Sequence, residues 1–191
     1  MKKPLSAVII AGGKSSRMGK DKALLPFGTF PTLSEFQYHK LSKLFQNVYI
    51  SSKENKFAFP CMVIEDIHKE DSPLVAIISV FETLDAEEVF VLSVDAPFVS
   101  EETIEKLLEY NESTLDAIVA QSPSGIQPLC GLYRRSILPL AHAQLKKGDH
   151  RLTDLLEFAN TLYVVFDEDM PFLNLNHPQE YQEALKIFGN L

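Results

Sequence analysis

Residues 7–22 read Ala7-Val8-Ile9-Ile10-Ala11-Gly12-Gly13-Lys14-Ser15-Ser16-Arg17-Met18-Gly19-Lys20-Asp21-Lys22. The run Ala7 to Ala11 is short, rich in β-branched residues and closed by a glycine pair, which reads as a buried strand. The loop after it mixes glycines, hydroxyls and cations. Glycines let backbone pass close to a ligand, and successive N–H groups can converge on phosphate oxygens. Arg17 and Lys22 add positive charge, and Ser15 and Ser16 add donors. A strand opening into such a loop suits a nucleoside triphosphate at the carboxyl edge of an open α/β sheet. Two familiar phosphate loops do not fit. The dinucleotide pattern GxGxxG lacks its second and third glycines, since Ser15 and Met18 stand there. The Walker pattern fails by register, because Gly19 comes one residue late after Gly13 and Asp21 replaces the magnesium-binding hydroxyl.

Outward from this stretch, apolar runs alternate with helical patterns. Val48–Ile50, Cys61–Ile64, Val89–Leu92, Ala117–Ala120, Leu129–Tyr133 and Leu162–Phe166 read as further strands. They are nearly continuous rather than alternating, which points to a sheet buried on both faces. The spacing predicts a helix over Thr32–Phe45, with Leu33, Phe36, Leu41 and Leu44 on one side. Ser100 reads as an N-cap ahead of Glu101, Glu102, Ile104, Leu107 and Leu108. A last helix starts near Pro178 and stops at Gly189. The alternation predicts a three-layer α/β domain with a mostly parallel sheet, and one domain over residues 1–191.

Composition narrows the ligand. The 191 residues carry a net charge of −8, which disfavours nucleic acid as a partner. Residues 1–22 run the other way, with six cations against Asp21, a local +5 that leaves −13 for the rest. A small basic loop on an acidic protein suggests a discrete anionic ligand rather than a polyanion. No stretch approaches the roughly 18 to 20 apolar residues that span a bilayer, so no membrane is expected. The apolar run after Met-Lys-Lys-Pro-Leu is too short for a signal peptide. Cys61 and Cys130 lack CxxC spacing, which argues against a zinc or disulfide framework and places the chain in the cytoplasm. The five histidines show no HxH or HExxH spacing and read as surface or packing residues.

Ala11 to Lys22 resembles the signature A-G-G-x-S-x-R-M-G-x-D-K of the nucleotidyltransferases that transfer a nucleoside monophosphate, at every fixed position. The Arg-Met-Gly-x-Asp-Lys end is most similar to the molybdenum cofactor guanylyltransferase family. Val63–Asp66, Ser72–Ala76 for G-P-L-A-G, Asp95–Phe98, and Phe172–Pro178 for F-x-N-x-N-T-P extend the resemblance along the chain. It implies a three-layer α/β/α Rossmann-like nucleotidyltransferase fold. It also implies transfer of GMP from GTP to the terminal phosphate of molybdopterin, with Mg²⁺ and loss of pyrophosphate. Molybdoenzymes or cofactor-delivery proteins would be transient partners. Carried over by position, Arg17, Lys22 and Asp95 are the catalytic candidates and Asp95 the metal ligand. Ile10, Ala11, Gly12, Gly13, Lys22, Ser51, Asp66 and Asp95 would hold the nucleotide, and Gln127, Arg151, Asn174 and Asn176 the second substrate. Several of these have plainer readings: Asp66 as a loop carboxylate, Asn174 and Asn176 as turn or cap residues, Arg151 as a solvated cation.

Three departures bear on base choice. Ser72 and Ala76 replace the glycines of G-P-L-A-G, and Ser51 stands where the family tends to place Asn. A cytidylyltransferase of the same cofactor, another small-molecule nucleotidyltransferase and a catalytically silent nucleotide-binding module remain as other readings. The chemistry itself needs no general base. A phosphate monoester has a second pKa of about 6 and is already ionised at neutral pH. No Ser-His-Asp or Cys-His constellation is evident, and catalysis is expected to be positioning plus electrostatic stabilisation.

Overall fold

A computed structural model describes residues 2–12, 19–68, 70 and 72–189. Seven strands form one sheet: β1 (Lys3–Ile10), β2 (Phe45–Ser52), β3 (Met62–Glu65), β4 (Glu88–Ser93), β5 (Ala117–Ser122), β6 (Gly125–Arg134) and β7 (Thr161–Val165). Their spatial order is β3-β2-β1-β4-β6-β5-β7. All neighbours are parallel except β6, which runs antiparallel to both β4 and β5.

The period of two along each strand divides the core into two layers. Ala7 and Ile9, Phe90 and Leu92, and Ile118 and Ala120 pack on one face with residues of α1 (Leu33–Leu44), α3 (Glu101–Glu109) and α6 (Pro178–Gly189). Val8 and Ile10, Val89 and Val91, and Ala117 and Val119 pack on the other with α2 (Pro73–Thr83), α4 (Leu138–Lys146) and α5 (Leu152–Phe158). This is the three-layer α/β/α arrangement that the alternation predicts. Thr32 and Ser100 cap α1 and α3, accepting hydrogen bonds from the backbone N–H of Glu35 and Thr103. Among the described residues, no helix is long and apolar enough to cross a membrane.

The antiparallel strand is what the reading of Leu129–Tyr133 as one more apolar run did not foresee. Only Pro123 and Ser124 separate β5 from β6, and a parallel return needs a crossover of a dozen residues or so. The chain therefore folds back on itself. Gly131 permits close approach in that hairpin, since a Cβ there would lie 2.3 Å from the carbonyl oxygen of Ile118. The consequence is functional: the start of β6, with Gln127, reaches the same sheet edge as the carboxyl ends of β1 and β4.

Candidate active site

At that edge the ends of β1 and β4 are stitched together, with Val94 N–H donating to Ile10 O at 3.0 Å. Asp95 follows immediately. Its Oδ1 accepts from Ser93 Oγ at 2.5 Å and its Oδ2 from Lys22 Nζ at 2.6 Å. Both members of the Lys22–Asp95 pair are largely buried, with side-chain exposures of 18% and 15%. Lys22 Nζ also donates to Asn176 Oδ1 at 2.9 Å. Three segments far apart in sequence thus meet at one ammonium group. Lys22 begins a short 3-10 turn (Lys22–Leu24) capped by Asp21, whose carboxylate accepts from Ala23 N–H at 3.0 Å. Asn176 is held from its other end, because Glu180 in the first turn of α6 accepts from the N–H groups of Asn176 and His177.

Two cavities meet at Asp95. The smaller, about 110 Å³, is bordered by Ile10, Ala11, Gly12, Asp21 and Lys22. The larger, about 400 Å³, is bordered by Gln127, Arg151, Asn174 and Asn176, together with Cys130 and His150. Its volume falls in the range of small-molecule sites. Asp95, Ser93 and Leu129 line both. Ser51 and Asp66 are joined at the ends of β2 and β3, where Ser51 Oγ donates to Asp66 Oδ1 at 3.2 Å. Gly12 lies beside them, since a Cβ on it would come within 3.6 Å of Asp66 Oδ2. Gly13 and Arg17 lie outside the described residues.

Arg151 is 71% exposed and pairs with Asp149 and Asp154. These hydrogen bonds and charges push the guanidinium up, and Arg151 in turn holds Asp149 below the usual carboxylate range. Gly148, at φ +73°, supplies the left-handed turn ahead of this loop. The substituted glycines of the 72–76 motif also find their surroundings. Ser72 caps α2 by accepting from Val75 N–H at 3.3 Å, and its Oγ lies 3.0 Å from His150 Nδ1. Ala76 is buried inside α2. Of the other histidines, His68 and His142 flank the two oxygens of Glu82.

Sequence reasoning missed four residues around this centre: Ser93 on Asp95, Lys56, Gln37 and Lys40. Lys56 Nζ pairs with Asp21 Oδ2 at 2.5 Å and reaches Ala11 O at 3.4 Å, tying the β2–β3 connection to the loop after β1. The strand-end serine two residues before Asp95 was a readable signal. Lys56, Gln37 and Lys40 carried none, because their partners are distant in sequence.

Comparison with known proteins agrees with this architecture. The model of the MobA-like NTP transferase domain matches residues 7–162. The molybdenum cofactor guanylyltransferase of Campylobacter jejuni is 39% identical over 181 residues, 94% of each chain. That of Helicobacter pylori is 35% identical over 196 residues, covering 98% of this chain and 93% of the relative. The crystal structure of molybdopterin-guanine dinucleotide biosynthesis protein A from Archaeoglobus fulgidus superposes with a TM-score of 0.84 at 23% identity, covering 98% of this chain and 100% of that one, and so shares the fold. With the strand-loop signature, the Lys22–Asp95 centre and these matches together, the chain belongs to the molybdenum cofactor guanylyltransferases, a family of MobA-like NTP transferases.

Proposed function

We propose that the chain transfers GMP from GTP to the terminal phosphate of molybdopterin, forming the guanine dinucleotide cofactor and releasing pyrophosphate. The observation that carries this reading is the Lys22–Asp95 contact at the junction of two cavities, one beside the loop after β1 and one large enough for a second small molecule. In this reading the triphosphate lies along the loop and the smaller cavity, with Ile10, Ala11, Gly12, Gly13, Ser51 and Asp66 around the nucleotide. Molybdopterin occupies the larger cavity, against Gln127, Arg151, Asn174 and Asn176.

Asp95 fits Mg²⁺. At the junction of the two cavities Asp95 offers a largely buried carboxylate. Mg²⁺ binds through one or two carboxylates plus substrate phosphates and keeps several waters, which is what such a junction provides. Bound there, the ion would supply charge neutralisation across the phosphates. Lys22 exchanges part of its contact with Asp95 for phosphate oxygens, and Arg17 offsets charge on the departing pyrophosphate. The attacking phosphate is already anionic, so the protein's work is alignment and charge compensation.

The test is competition. The purified chain receives molybdopterin, Mg²⁺ and equimolar GTP, CTP and ATP, and the dinucleotide products are separated. GTP should win by about 100-fold, because a wrong base leaves one or two buried polar groups unpaired at about 1 to 3 kcal/mol each. A CTP product in excess moves the chain to cytidylyl transfer. Binding of GTP with no product from any nucleotide makes it a silent binding module.

A further inference from the structure

Helix α1 carries a polar stripe on a face it turns inward. Ser34 and Gln37 are fully buried, and Lys40 is half-buried one turn further on. The spacing 34, 37, 40 sets all three along one side of the helix, where an amphipathic helix would place aliphatic residues. Buried amides and ammonium groups cost free energy unless their hydrogen bonds are made. What they bond to is therefore informative.

Gln37 Nε2 donates to the carbonyl of Ala96 at 2.9 Å and lies 3.3 Å from those of Ser93 and Val94. Lys40 Nζ donates to the carbonyls of Pro97 and Val99 at 3.0 and 2.9 Å. Leu175 N–H takes the carbonyl of Asp95 itself, at 3.0 Å. Six carbonyls of the segment 93–99 thus have a donor within 3.3 Å, five of them from two side chains of α1, with the two amide hydrogens of Gln37 shared among three. The other end of the same stripe holds the opposite half of the site. Ser34 Oγ donates to Ala23 O at 2.8 Å, and Leu33 N–H donates to Leu25 O at 2.7 Å, which pins the turn that carries Lys22. Packing alone does not account for this choice, since apolar residues of similar volume are often as stable as buried charged groups or more so. Burial also lowers the Lys40 pKa to about 7, as expected of an ammonium held away from water.

We propose that Ser34, Gln37 and Lys40 are positioning residues for nucleotidyl transfer, fixing the Lys22 turn and the Asp95 turn to one helix and so setting the separation of Lys22 Nζ and Asp95 Oδ2. The inference rests on the roles proposed above for Lys22 and Asp95. None of the three touches a substrate; each acts through the backbone of a residue that does.

Lys40→Met and Gln37→Leu remove the donors while keeping length and bulk. Lys40→Met should leave the melting temperature within about 3 °C of wild type, because it also removes a desolvated charge. Its kcat should fall about 10- to 100-fold with KM for GTP within about threefold, the pattern of a misplaced catalytic group. Lys40→Arg, which still reaches carbonyl oxygens, should recover most of the loss. Amide exchange supplies a readout apart from turnover: the N–H groups of Ala96 and Leu175 should exchange about tenfold faster in Lys40→Met and Gln37→Leu. Unchanged kcat and exchange overturn the proposal, as does a loss of activity that merely follows a loss of melting temperature. Should Gln37→Leu not fold, Lys40→Met carries the test alone. Asp95→Asn distinguishes the two levels. If it turns over like wild type, the reading of Asp95 falls, whereas full activity of Lys40→Met beside an inactive Asp95→Asn removes only the positioning role.

Discussion

The Asp95 turn and the Arg151 loop border the same cavity and are built in opposite ways. Around Asp95, side chains of α1, β4 and the Lys22 turn and the backbone of Leu175 all converge, and the carboxylate is largely buried. Around Arg151, the guanidinium pairs with Asp149 and Asp154 on the same short stretch and is mostly in solvent. The difference matches the two tasks proposed for these corners. In the proposed reaction a carboxylate that would hold Mg²⁺ beside the reacting phosphates must be in place before the substrate arrives, because reorganisation adds to the barrier. A group that meets the distal part of a ligand gains from adjustability and contributes little while free.

Substitutions at the two corners should therefore differ in size and kind. Asp95→Asn should lower kcat by at least about 100- to 1,000-fold, since an amide cannot replace a charged oxygen on Mg²⁺. Pyrophosphate release at saturating GTP measures this, and near wild-type turnover at limiting Mg²⁺ would end the metal role. Ser93→Ala comes next. It removes the hydroxyl on Asp95 Oδ1 and should lower kcat about 10-fold with both KM values nearly fixed. Arg151→Ala should do the reverse, raising KM for molybdopterin about 3- to 10-fold while kcat and melting temperature stay put. A fall in kcat alone would place Arg151 with the reacting groups and erase the contrast.

The smallest effect is on stability against pH. Lys40 has a folded pKa lowered to about 7 by burial, against an ordinary value of 10.5. Between these values the unfolded chain binds more protons than the native one, so this group makes stability rise with pH across that window. Below about pH 7 the ammonium is charged in both states and its burial cost is present in full. Cys130, the neighbouring titratable group, is pushed from 9.0 up to about 12 by burial, so above about pH 9 the unfolded thiol ionises while the native one does not, which lowers stability with pH at the top of the window. Denaturant titrations at pH 7 to 10 should show this slope in wild type and lose its Lys40 part in Lys40→Met. Arg151→Ala should keep it, because Arg151 is raised and Asp149 lowered, and neither titrates in that interval.

Several parts of this protein were settled by its sequence. The run Ala7–Ala11 is rich in β-branched residues and is followed by a glycine pair, so it reads as a buried strand from its own composition, and it lies within β1 and just after it. Thr32, Ser100 and Pro178 mark helix starts by capping chemistry that acts over three or four residues. Asp95 stands out because it follows an apolar run and precedes a proline. These signals are local, and local physics suffices to read them. The tertiary structure decided the rest. It turned β6 antiparallel, which carried Gln127 to the sheet edge, and it brought Asn176 onto Lys22 across 154 residues. It also turned a polar stripe of Ser34, Gln37 and Lys40 inward, on a helix whose apolar pattern had pointed only to Leu33, Phe36, Leu41 and Leu44. A side chain's donors have no preference encoded in its own neighbourhood. Whether Gln37 faces water or three carbonyls depends on where a strand 56 residues away comes to its end, and only the packed sheet fixes that.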